Sequence, residues 1–176
     1  MKTLSILFTS LALGMLVPQV YAASDIKDCS SRETREIAQA IDWGSNHWKE
    51  FEAVLEDAAD VNIKNCLEKR FKKNGKVVCE EKIKGNCKGP KGKDVNGWAS
   101  PFNKKCHICP VFLDNLNKIG KAVDRKACYF SLITHEWAHT CERTHKSIEK
   151  IDDAAFDFWK KKHPKVSIDF KDCGMD

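Results

Sequence analysis

His135-Glu136-Trp137-Ala138-His139 lies inside the run from Asp124 to about Thr140. The run is expected to be helical. Residues four apart on a helix share a face, so the imidazoles of His135 and His139 can reach one metal ion. Glu136 then stands beside the open position of that ion, where a carboxylate can take a proton from a bound water. The five-residue pattern also arises by chance, as two surface histidines and an unrelated glutamate. Its place on a helix, beside further candidate ligands, favours the metal site.

The segments flanking this run are expected to be mostly helical. Pro110 opens a helix through Ile119, and a last helix is expected over Ser147–Lys162, stopped by Pro164. Upstream, Ser30 and Glu33 form a capping-box pattern ahead of a helical stretch to about Ala59. Ile37, Ile41, Trp48, Phe51 and Leu55 share one face of it, and Gly44 is expected to divide it in two. Trp43 and Trp48 read as core aromatics, and His47 as a surface or partly packed residue. A short helix over Asn62–Arg70 precedes a change of character. Residues 69–93 hold ten Lys or Arg and two acids, Glu80 and Glu81. Asn74-Gly75 reads as a tight turn and Lys76–Cys79 as a strand of a small hairpin, followed by a glycine-rich loop tied down by Cys79 and Cys87. The expected fold class is α+β, mostly α: a single disulfide-stapled domain with a small β-hairpin and the H-E-x-x-H helix.

The chain has 176 residues, 42% hydrophobic and 31% charged, with a formal charge of +5. This excludes general disorder and two large domains, and gives no reason to expect nucleic acid as a partner. Nine cysteines call for an oxidising compartment. Lys2, the apolar run Leu4–Val17, Pro18 and the ending Val20-Tyr21-Ala22 have the layout of a cleavable signal peptide over residues 1–22. The apolar run is short for a membrane span. The domain is then 23–176, secreted or periplasmic, with four disulfides and one cysteine left over. Cys106-His107-Ile108-Cys109 is read as disulfide cysteines in preference to a zinc or redox pair.

A catalytic zinc usually takes three protein ligands. His145 extends the motif to H-E-x-x-H-x-x-E-x-x-H, which resembles the metzincin signature with Glu142 in place of its glycine. The other candidate is Asp153. Ile108-Cys109-Pro110-Val111-Phe112, the zinc helix, and Asp153-Ala154-Ala155-Phe156 together resemble the deuterolysin, or aspzincin, group of secreted metalloendopeptidases. The resemblance spans about residues 77–160, with the zinc helix its specific part. It implies a zincin-like fold and an aspartate ligand from a D-x-x-Y element. Here Phe156 replaces the tyrosine, and the family's Gly-Thr before the aspartate and Gly after the tyrosine are absent, with Asp157 at the latter place. Asp152 and Glu142 remain further alternatives for the third ligand. Asp157 and His163 are outlying ones, His163 being accounted for by the dipole at a helix end.

The expected function is that of a secreted zinc metalloendopeptidase acting as a monomer on a protein or peptide substrate. One zinc ion would be held by His135, His139 and Asp153 or His145, with Glu136 as general base. Two rivals stand beside it: a non-catalytic zinc-binding protein, and a cationic toxin-like protein acting through its lysine-rich hairpin.

Overall fold

The computed structural model describes residues 25–82, 85–101, 103–141 and 150–175. The signal-peptide segment, Glu142 and His145 lie outside the described residues.

The helices form where the local signals place them. Helix α1 (Ser31–Asn46) is capped by a reciprocal pair: Ser30 Oγ accepts the Glu33 N–H, and Glu33 Oε2 accepts the Ser30 N–H at 2.7 Å. The break before α2 (Trp48–Val54) falls at His47 and not at Gly44. Gly44 serves packing instead, since a Cβ there would stand 2.5 Å from the Phe130 ring. Asp60 Oδ1 accepts the N–H groups of Asn62 and Ile63 to start α3 (Val61–Lys69). Pro110 stands at the first position of α4 (Pro110–Asn117), where its missing N–H costs nothing. Helix α5 (Ala122–His139) carries the histidine pair, and α6 (Ile151–Lys162) follows.

Four short strands among the described residues complete the α+β fold. They are β1 (Asp25–Lys27), β2 (Lys76–Cys79), β3 (Gly97–Ala99) and β4 (Lys105–Ile108), in the order β1-β2-β4-β3. The strand expected at Lys76–Cys79 exists, but it is not part of a hairpin. It pairs in parallel with β1 and with β4, while the antiparallel pair is β3 with β4. Asn74-Gly75 is likewise no hairpin turn: Gly75 has φ −66, and the chain reaches it through a helical turn over Arg70–Asn74. Glycine is needed there because the Trp137 indole lies where its Cβ would be, at 2.3 Å.

Helix α5 is buried on almost every side, unlike an amphipathic surface helix. It packs on α1, α3 and α6 and on the strands β3 and β4. Ile133, Trp137 and Ala138 are fully buried, as are Ile37 and Phe51 from the first two helices. A buried pair ties α1 to α5: Arg125 Nε donates to Glu36 Oε2 at 2.9 Å and its Nη2 to Oε1 at 2.5 Å, while Nη1 donates to the carbonyls of Ile119 and Gly120.

Four disulfides staple the framework: Cys29–Cys79, Cys66–Cys141, Cys87–Cys109 and Cys128–Cys173. Cys79 and Cys87 therefore do not pair with each other. Within Cys106-x-x-Cys109 only Cys109 is bridged, and the ninth cysteine is Cys106, a free buried thiol in β4. Its strand neighbours Val77 and Ala99 carry no sulfur to meet it. Four disulfides fit an oxidising, extracellular type of environment. No described helix is long and apolar enough to cross a membrane.

Candidate metal centre

The floor of the site is the last turn of α5. His135 and His139 Nε2 converge to 3.1 Å, with the rings set edge to face at 78°. That separation is below twice the zinc–nitrogen bond length of about 2.0–2.1 Å, so one ion can contact both atoms. Both rings are half-buried and line a cleft of about 870 Å³ together with Glu136, Asp152 and Asp153.

Glu136 points into the protein side of this cleft. It is 5% exposed, and its Oε2 has no hydrogen-bond partner among the described residues. An unsatisfied buried carboxylate oxygen is costly unless something else occupies its lone pairs. Burial, partly opposed by the neighbouring His135 and reinforced by Asp152, raises its pKa to about 7. Gly97 of β3 allows the close approach: a Cβ on it would stand 2.9 Å from Glu136 Oε1.

The two acids at the start of α6 are placed differently. The Asp152 carboxylate is set against the His135 ring, its Oδ2 3.4 Å from His135 Nδ1. Asp153 is exposed on the cleft, its pKa raised by partial burial and by the charges of Asp152 and Asp157. Among the described residues no group of three or more His, Cys, Asp or Glu side chains gathers about one point. The donor set that the structure brings together is thus the imidazole pair, with Glu136 beside it and Asp153 in the same cleft. Two convergent imidazole nitrogens and a buried carboxylate whose Oε2 has no hydrogen-bond partner among the described residues fit a borderline-soft divalent ion such as zinc.

His163 departs from its expected role. Its ring stacks on Trp159 at 4.3 Å and its Nδ1 meets the Trp159 carbonyl at 3.0 Å. Burial lowers its pKa, so the neutral ring is favoured over a dipole-stabilised cation. In the lysine-rich stretch, Lys72, Lys76 and Lys88 pair with Glu68, Asp25 and Asp94.

Part of the cleft gave no signal in the sequence. Its far wall is β3, an edge strand too short for periodicity to mark. Trp98 of that strand stacks on His107 of β4 at 3.7 Å, and Glu80 holds the His107 ring at 2.7 Å. Asn96 donates to the Gly174 carbonyl at 2.6 Å, bringing the buried Met175 into the cleft wall.

No family model, no curated protein and no solved structure matches this chain.

Proposed function

We propose that this chain is a secreted zinc-dependent metalloendopeptidase, resembling the aspzincin group within the zincins. The observation that carries the reading is the 3.1 Å convergence of His135 and His139 Nε2 on a cleft floor beside the buried Glu136. His135 and His139 would hold one zinc ion. Asp153, which lines the same cleft, is the third-ligand candidate from the described residues, with His145 as the alternative. When bound, zinc would polarise the substrate carbonyl and acidify a water.

The protein's own groups then have defined tasks. Glu136, one residue from the first ligand and shielded from bulk solvent, accepts the proton of the attacking water and returns it to the leaving amine. Strand β3 offers an edge that no described strand covers, and an extended peptide laid along it would gain main-chain hydrogen bonds. Phe156 is buried and has no hydroxyl, so stabilisation of the developing oxyanion from that position is not available.

The test is proteolysis of a denatured protein substrate by the purified chain, with Glu136→Gln alongside. The wild type is expected to cleave and to lose activity to a chelator. Glu136→Gln is expected to retain zinc and lose activity by three or more orders of magnitude. Full activity in Glu136→Gln or in the metal-stripped protein refutes the mechanism. Bound zinc with no hydrolysis by the wild type would favour a non-catalytic zinc protein.

A further inference from the structure

Helix α6 packs along α5, and a side chain in the middle of α5 meets the first turn of α6. The Ser131 hydroxyl donates to the backbone carbonyl of Asp152 at 2.7 Å. Ser131 lies one turn before His135, so the α5 face that carries the first imidazole also fixes the start of α6. The Asp152 carboxylate has one hydrogen bond and one ion-pair contact. Its Oδ1 accepts the Asp153 N–H at 3.1 Å, and its Oδ2 stands 3.4 Å from His135 Nδ1. The contact is thus with Nδ1, whereas Nε2 is the atom that converges with His139.

A neutral imidazole carries one N–H and one lone pair, and an acceptor at one nitrogen selects which is which. We propose that Asp152 is a positioning residue for His135: its carboxylate accepts the Nδ1–H, fixes the ring, and leaves the Nε2 lone pair directed into the cleft. The proposal rests on the metal reading of the site. It divides the work of two adjacent acids that line the cleft, with Asp152 set against the His135 ring and Asp153 the more exposed. The Ser131 hydroxyl bond keeps Asp152 in register.

Two measurements on the full disulfide-bonded chain decide it. In metal-stripped protein, long-range proton–nitrogen NMR correlations of His135 are expected to show the Nδ1–H tautomer, and Asp152→Ala is expected to shift the ring toward Nε2–H. A wild-type ring already in the Nε2–H form overturns the proposal. The second measurement titrates zinc against a competing chelator. Asp152→Ala is expected to weaken zinc binding roughly 10–100-fold, the usual effect of losing such a partner. Asp152→Asn keeps a neutral acceptor and is expected to lose less. If both variants melt like the wild type and bind zinc as tightly, the proposal fails. A wild-type chain that takes up no zinc refutes the metal reading itself, and the tautomer experiment, made without metal, still decides the Asp152 contact.

Discussion

Gly97 of β3 lies directly against Glu136 of α5: a Cβ on Gly97 would stand 2.9 Å from Glu136 Oε1 and 3.0 Å from the His107 carbonyl oxygen. The strand edge and the candidate general base are therefore in contact through a position that has no side chain. A methyl group at Gly97 must push either the carboxylate or the strand. Gly97→Ala is expected to lower kcat/KM on the order of 10–100-fold by displacing Glu136. The overpacking is expected to cost about 1–3 kcal/mol in urea unfolding. Zinc affinity should hold within a few-fold, because the atoms a Cβ would meet first belong to Glu136 and the His107 carbonyl. A Gly97→Ala protein with unaltered kinetics would show that Glu136 is not placed as described.

The buried Arg125–Glu36 pair gives a stability test that is independent of the site. Arg125 is 8% exposed and Glu36 is 4% exposed. Glu36→Ala leaves the guanidinium desolvated, with the Ile119 and Gly120 carbonyls as its hydrogen-bond partners among the described residues. The expected loss is roughly 3–5 kcal/mol, the usual cost of stranding one member of a buried pair. Equilibrium unfolding of the variant measures it, and a loss below about 1 kcal/mol would mean that the pair is hydrated in solution.

Cys106 sets a thiol count. It is the one unbridged cysteine of nine, fully buried, and burial with the nearby Glu136 charge raises its pKa well above the ordinary thiol value. A thiol reagent is expected to label no cysteine in the native protein and one per chain after denaturation without reductant. Labelling of two or more, or rapid labelling of the native chain, would contradict the disulfide pattern.

His163 predicts a direction for stability with pH. Its folded-state pKa lies below the ordinary histidine value, chiefly from burial, while its bond to the Trp159 carbonyl opposes this and the charges of Lys126 and His47 add to it. The unfolded chain then binds more protons than the folded one between the lowered pKa and about 6.5. This contribution is complete above the unfolded value and is lost as pH falls through that window. Thermal melts from pH 7.5 to 5 are expected to show a decline that His163→Gln reduces. A decline of equal size in the variant would assign it to other groups.

Much of the helical skeleton was legible because its signals are local. The Ser30–Glu33 box, Pro110 at a first helical position and the four-residue spacing of His135 and His139 each act within a turn or two of chain. The sheet was not legible in the same way. Strands of three or four residues carry too few positions for a period-two pattern, and Asn74-Gly75 imitates a hairpin turn although its glycine is there to admit Trp137. Gly44 misled similarly, since a helix-weakening residue can be retained where two aromatic rings need the space.

Two features follow from the chain alone: two imidazoles and a glutamate share one end of one helix, and nine cysteines would need an oxidising environment. Helical periodicity and composition suffice for both. The packing of distant segments leaves Cys106 as the unbridged thiol, makes β3 a wall of the cleft, and sets the Asp152 carboxylate 3.4 Å from His135 Nδ1 with Asp153 exposed in the same cleft. Those outcomes depend on distances between residues far apart in the chain. No local spacing encodes them, because they are set by how α5 is packed between α6 and the sheet.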